Sequence, residues 1–296
     1  YNQYHHTQEA NFYFFECIDD QRVANALFEQ AFEWARQRGL TTIVGPRGMS
    51  PVDGYGMLID SFDQPQMMAM MIHNPPYYVN LVETLGFTKK VDYLSCYAKP
   101  HQLHFPERIH RIAERVQQRG TLRVQHFNST RELKSWVGRI GRAYNQSFVN
   151  NWEYYPLTAR EIAYVEKMLL TLADPALIKI IVDGERVVGF ACAFPDVFKA
   201  IQRSKGRLFP FGLLDMLLEV RRTKWVDLNI IGILPEYHGR GGNALMYSEI
   251  EKIVRHRNFE NAALYQVAES AVSMRHDLAN IEGIACKNHR VYTRVI

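Results

Sequence analysis

A chain of 296 residues, 47 % hydrophobic and 22 % charged, has ordinary globular composition and enough length for about two domains. Its net charge of +4 and pI near 8.8 come without a dense Lys/Arg run, which argues against nucleic acid and leaves an anionic cofactor compatible. No apolar run approaches the roughly 20 residues that cross a bilayer, and Cys17, Cys96, Cys192 and Cys286 are too scattered for a metal cluster or a disulfide framework, so no metal and no membrane span are expected and a reducing cytoplasm fits.

The chain opens on Tyr1-Asn2-Gln3-Tyr4 without Met or a signal pattern, so residues ahead of Tyr1 are expected. Asn11 to Ile18 reads as a strand. Asp19-Asp20 breaks it, with Asp20 placed to cap a helix whose apolar residues Val23, Leu27, Phe28, Ala31 and Phe32 recur toward Arg38 and Gly39. Thr41 to Val44 is a short strand and Gly45 to Gly56 a loop. Asn74-Pro75-Pro76 predicts a helix start with Asn as cap; Tyr78, Leu81, Val82 and Leu85 form its apolar face. Val91 to Tyr97 is a strand. Ile109, Ile112, Ala113 and Val116 then recur at helical spacing in a segment read as a linker helix, 101–120.

The second half begins with a strand at Leu122 to Phe127, followed by a helix over Glu132 to Phe148. Asn150 to Pro156 (NNWEYYP) is an aromatic loop, and Thr158 caps a helix running to about Leu172. Ile178 to Val182 and Arg186 to Phe194 flank Asp183-Gly184, a strong hairpin signal. Residues 199–212 read as a basic loop, Leu213 to Arg222 as a helix. Val226 to Leu234 is an apolar, β-branched strand ended by Pro235. The turn His238-Gly239-Arg240-Gly241-Gly242-Asn243 follows, then Ala244, Leu245, Ile250, Ile253 and Val254 at helical spacing. Ala262 to Val267 is a strand, Ser270 to Asn280 a helix and Ile284 to Ile296 a last strand pair or single strand.

Strand, glycine turn and helix make an anion site: the first helical turn has N–H groups without partners, and the helix dipole favours negative charge there. It is neither a Walker loop nor a dinucleotide fingerprint, since no Gly-Lys-Ser/Thr follows and the glycine spacing differs. The turn resembles the acyl-CoA loop of the GNAT N-acetyltransferase superfamily, Gln/Arg-x-x-Gly-x-Gly/Ala after a strand. His238 takes the Gln/Arg place, Gly241 the first glycine and Asn243 the Gly/Ala place, so two of the three positions depart. The element order of 121–296 is similar to that family throughout. Residues 1–100, with GPRGMSPVDGYGMLIDSFDQP, HNPPYY and YYVNLVETLGF, resemble the first half of a group of tandem bacterial GNAT-like proteins. The resemblance implies an α/β fold with mixed sheets: an incomplete, degenerate GNAT-like domain over 1–100 and an acetyltransferase domain over 121–296.

The same resemblance implies acetyl-CoA or another acyl-CoA as co-substrate, held by His238, Gly239, Arg240, Gly241, Gly242, Asn243 and Ala244, with main-chain groups of Ile231 and Ile233 toward the thioester and pantetheine arm. Asp227 falls where some family members carry a general base. The usual Tyr acid is missing from the Ser270 to Asn280 helix, and Tyr292 or Tyr247 is a substitute. Trp152, Tyr154 and Tyr155 fall where the family's early helices cover the acceptor. The implied activity is N-acyl transfer to a small-molecule or peptide amine. A binding protein that keeps at most CoA is the alternative, and transfer to a lipid or peptide amine is a third reading. The first domain, with no glycine turn after Cys17, is expected to be a platform.

Overall fold

The computed structural model describes residues 1–48, 53–64, 71–100, 105–151, 154–272, 274–275 and 285–296. The first stretch contains α1 (Asn2–His5), β1 (Glu9–Asn11), α2 (Gln21–Arg36), β2 (Thr42–Gly45), β3 (Met57–Leu58), α3 (Tyr77–Thr84) and β4 (Thr88–Ala98). Next come α4 (Glu107–Arg119), β5 (Arg123–Gln125), α5 (Thr130–Lys134), α6 (Val137–Ser147), α7 (Ala159–Leu172), β6 (Ile178–Asp183) and β7 (Arg186–Pro195). The chain continues with α8 (Phe198–Arg203), α9 (Gly212–Arg222), β8 (Trp225–Ile233), α10 (Gly242–His256), β9 (Asn261–Ala268) and β10 (Ala285–Val295).

These elements form two compact units. Unit 1 comprises Tyr1–Cys96, Gln266–Arg275 and Cys286–Ile296; the bulk of unit 2 is Tyr97–Tyr265. In unit 1 the strands lie in the order β1-β2-β10-β4, with β3 also on β10. The C-terminal strand, assigned by the sequence to the second domain, is thus central to unit 1. Phe28, Phe32, Phe87 and Tyr292 are buried in its core. Asp20 caps α2 as expected, its side chain accepting from the Arg22 N–H, and its hydrogen bonds with Arg22 hold its pKa down at about 2. Arg290 grips Asp92 with two hydrogen bonds of 2.8 and 3.0 Å.

Several expectations for this half change. The strand foreseen over Asn11 to Ile18 is only Glu9–Asn11; Phe14, at φ 53, departs from extended geometry, and Phe12 and Phe15 pack inward, Phe12 still donating its N–H to the Val44 carbonyl. Asn74 does not cap α3. Its side chain instead accepts from the Leu58 N–H at 2.8 Å and donates to the Leu58 carbonyl at 3.1 Å, tying down β3. Cys96 and Cys286, expected as thiols, form a disulfide across 190 residues of sequence, with Cα atoms 4.1 Å apart on neighbouring strands. Sequence distance hid this pair because β10 returns beside β4.

In unit 2 the order is β9-β8-β7-β6-β5, with β8 and β9 parallel and the remaining neighbours antiparallel, so the sheet is mixed. One face carries α10 and α4 over Ile181, Val188, Val226 and Ile233; the other carries α6 over Ile180, Phe190 and Cys192. Leu245, Met246, Ile250 and Val254 of α10 are buried there, each worth on the order of 1.5–3 kcal/mol. Ala113 and Val116 make α4 part of this core, not a tether between domains. Ser135 and Trp136 interrupt the single helix expected over Glu132 to Phe148, leaving α5 and α6. Thr158 and Glu161 form a reciprocal capping box on α7, with bonds of 2.7 and 3.2 Å. Most of the helix expected over Ser270 to Asn280 lies outside the described residues.

The bond between Cys96 and Cys286 predicts a thiol count. Alkylation of the unfolded, unreduced chain should tag two cysteines, Cys17 and Cys192. Mass spectrometry showing four tags would mean the pair is reduced.

Candidate functional site

The glycine turn sits where the sequence put it. β8 ends at Ile233, Pro235–Tyr237 make a single 3₁₀ turn and α10 starts at Gly242. Gly239 and Gly241 have φ of +74 and +86, conformations closed to most side chains. At Gly239 the space where a side chain would point is open, whereas at Gly241 a Cβ would come within 2.6 Å of Val116 and 3.1 Å of Ile112 on α4. Apolar packing of α4 therefore demands Gly241 whether or not a ligand binds. Gly242 is pressed similarly by Ile233, at 2.9 Å.

The donors of this helix end remain available. No side chain caps α10, and among the described residues no acceptor meets the N–H of Gly242, Asn243 or Ala244. Asn243 and Arg240 are exposed, so the approach is not walled off. An anionic group such as a pyrophosphate fits these features: bare amides, the positive end of a fifteen-residue helix and an open side at Gly239. His238 is exposed and places Nε2 3.2 Å from the Ile233 carbonyl, so in this structure that carbonyl already has a partner.

β8 itself is irregular at one residue. Its register on β7 runs Ala191↔Ile231 and Cys192↔Ile230, then slips to Ala193↔Leu228, leaving Asn229 as the extra residue of a bulge. Side chains alternate along a strand, so an extra residue exchanges the faces beyond it. Val226 and Leu228 point to the α10 core; past Asn229, Ile231 and Ile233 do so. The parallel register with β9 includes Trp225↔Asn261 and Leu228↔Leu264, the latter beside the bulge. From there β8 leads to the bare amides of α10. The strand named by the sequence for the thioester, Asn229 to Ile233, is this segment.

Asp227 is buried, at 5 % exposure, and lies opposite Phe194 of β7. Asp196 follows β7 directly, its N–H bonded to the Trp225 carbonyl. Along the chain Asp196 is marked by its position directly after Phe194-Pro195. Burial pushes its pKa from 3.8 up to about 6, with nearby Glu219 adding to the rise, while the Phe198 N–H it accepts acts the other way.

An aromatic wall covers the face of the sheet opposite α10. A Cβ at Gly232 would lie 2.6 Å from the Phe190 ring and 3.2 Å from Phe148. Tyr144 packs on Phe148 with ring centroids 4.8 Å apart, and burial, with Tyr154 and Tyr155 nearby, raises its pKa. Tyr154 donates to the Asn145 carbonyl at 2.8 Å. Trp152 lies outside the described residues. Tyr247 stacks on Phe105 at 5.3 Å. Tyr292 is in unit 1, 1 % exposed, and donates to Glu83 at 2.9 Å; burial and that carboxylate push its pKa up, the wrong direction for a proton donor. Among the described residues no group of three or more His, Cys, Asp or Glu side chains could hold a metal ion.

No family model matches the chain. Over 293 residues it is 27 % identical to Protein YghO of Escherichia coli K12, covering 97 % of this chain and 74 % of that protein. Over 295 residues it is 28 % identical to the bacterial ceramide synthase of Caulobacter vibrioides NA1000 / CB15N, covering 97 % and 76 %. In structure it is similar to a GCN5-related N-acetyltransferase from Sphaerobacter thermophilus, with a TM-score of 0.50 and 12 % identity over 92 % of this chain and 67 % of that one. The chain has the GNAT fold, and that likeness reaches across most of both units.

Asp196 yields a pH prediction. A carboxyl group with a raised folded pKa stabilises the fold below its unfolded value, and that contribution is lost as pH rises through the folded value, here between about 4 and 6. Asp196→Asn removes the ionised form while keeping an oxygen for the Phe198 N–H. It should melt higher than wild type at pH 7.5, by up to about 3 kcal/mol, with the gap closing by pH 4. A gap that widens on acidification would contradict the assignment.

Proposed function

We propose that unit 2 binds an acyl-CoA and transfers its acyl group to an amine. The reading is carried by one arrangement: a strand bulged at Asn229 leading to a helix end with bare amides. The amides of Gly242, Asn243 and Ala244 would hold the pyrophosphate, with Gly239 leaving room, His238 and Arg240 flanking the turn and Gly241 setting its shape. Main-chain groups of Ile231 would line the pantetheine arm and, near the bulge, orient the carbonyl; Ile233 would do so after its carbonyl exchanges His238 for the ligand.

An acyl-CoA brings a thioester, whose carbonyl carbon an amine attacks with loss of the thiolate. Asp227 would accept the amine proton; its burial opposite Phe194 keeps bulk water from competing. Tyr154 and Tyr155, beside Tyr144, would form the acceptor wall, and Trp152 belongs to the same loop. With Tyr292 bonded to Glu83, it is not proposed as the acid; water or Asp227 in its protonated form would serve the thiolate. Acetyl-CoA is the smallest donor to test. The Caulobacter relative is named a ceramide synthase, and ceramide is an amide of a long-chain amine, which supports an amine acceptor.

A second reading, CoA binding without turnover, is favoured by the engagement of the Ile233 carbonyl and of Tyr292. Two variants separate them. Asn243→Glu places a carboxylate in the first turn of α10, where it suits the helix dipole and harms no packing. Its thermal midpoint should match or exceed wild type while CoA affinity falls at least about tenfold, close to 1.4 kcal/mol; unchanged affinity by calorimetry would remove the pyrophosphate from this helix end. Asp227→Asn should keep CoA affinity and lower kcat by about 10²-fold or more with loss of the acidic limb of the pH–rate profile. An unaltered profile would leave Asp227 out of the chemistry.

A further inference from the structure

The segment between β7 and β8 is built inside out. Between Phe198 and Lys224 it holds seven basic residues against two acidic ones, a larger excess than the +4 of the whole chain. The two carboxylates, Asp215 and Glu219 of α9, turn inward, where Arg203 of α8 binds both. Leu213, Leu214, Leu217 and Leu218 turn outward. Their spacing puts them on one arc of the helix, and Leu214 is 56 % exposed. In the turn leading into α9, Phe209 and Phe211 are 79 % and 74 % exposed. A water-facing helix shows the opposite pattern, charged residues out and leucines in. The only acids here are committed to an internal ion-pair cluster, so the apolar face is a consequence of how the hairpin is pinned.

The rim of this face is positive. Lys205 and Arg207 precede the phenylalanines, and Arg221 and Arg222 end α9; none of the four has a salt bridge among the described residues. Apolar side chains inside a cationic rim match an anionic bilayer surface, with the rings and leucines in the acyl boundary and the basic groups among headgroups. A second copy of this chain is a poorer fit, since a two-fold contact would set the rim against its own charge. α9 is far too short to span a bilayer, so the arrangement suits docking in the plane of the interface.

We propose that the α8–α9 hairpin is a membrane-docking element that seats unit 2 on anionic lipid surfaces. β7 leads into the hairpin and β8 leads out of it, so Asp196 and Asp227 lie close in sequence to the docking element, on either side of it. The docking itself requires no turnover.

The test is flotation of the chain with vesicles of equal parts phosphatidylethanolamine and phosphatidylglycerol, and with pure phosphatidylcholine vesicles. Wild type should float with the first and weakly with the second, and high salt should reduce binding. The triple variant Phe209→Ser/Phe211→Ser/Leu214→Ser should lose at least about tenfold in partition, and Arg207→Glu/Arg221→Glu should lose the preference for phosphatidylglycerol. All these side chains are exposed, so melting curves should match wild type. The proposal is overturned if wild type stays unbound to anionic vesicles, or if the triple variant binds equally. It is also overturned if sedimentation velocity shows a dimer that the triple variant dissolves, because the face then belongs to a second copy.

Discussion

The register slip at Asn229 is the constraint on which unit 2 depends. Without it, the residues of β8 facing α10 would be Val226, Leu228, Ile230 and Gly232. With it, Ile231 and Ile233 join the α10 core, and Ile230 and Gly232 turn to the aromatic side. Gly232 then fits under Phe148 and Phe190, which leave no room for a larger residue. One extra residue thus keeps both faces of the sheet packed.

The helix end gains its availability from the same packing. α4 presses Val116 and Ile112 against Gly241, fixing the turn in its left-handed conformation and aligning the first amides of α10. The apolar contact does what a ligand would otherwise have to do, so the donors are ordered before any anion arrives. Pre-ordering of this kind lowers the entropic cost of binding. It also explains why glycine here is weak evidence of a phosphate: Gly241 has a structural reason of its own, and the case rests on the unmet amides and the open space at Gly239.

Unit 2 therefore joins two unlike surfaces through β7 and β8. On β8 and directly after β7 are the buried carboxylates Asp227 and Asp196, the latter with a pKa raised by burial. On the hairpin joining them, carboxylates are clamped by Arg203 and leucines are released to the outside. Both depart from the rule that charge goes out and apolar groups go in.

The sequence by itself determined the local elements and the class of fold. The run Val226 to Leu234, the turn His238 to Asn243 and the hairpin at Asp183-Gly184 were legible because strand alternation, glycine conformations and capping boxes depend on neighbours along the chain. Only the tertiary structure decided the rest. It placed β10 in unit 1, joined Cys96 to Cys286, committed Tyr292 to Glu83 and turned Asn74 onto Leu58. It also showed α4 to be core and Gly241 to be its contact, and it buried Asp196 beside the start of β8. Each of these joins residues distant in sequence, or turns on which side of a strand or helix meets protein. A one-residue bulge reverses that choice, and periodicity read along a single chain carries no record of it.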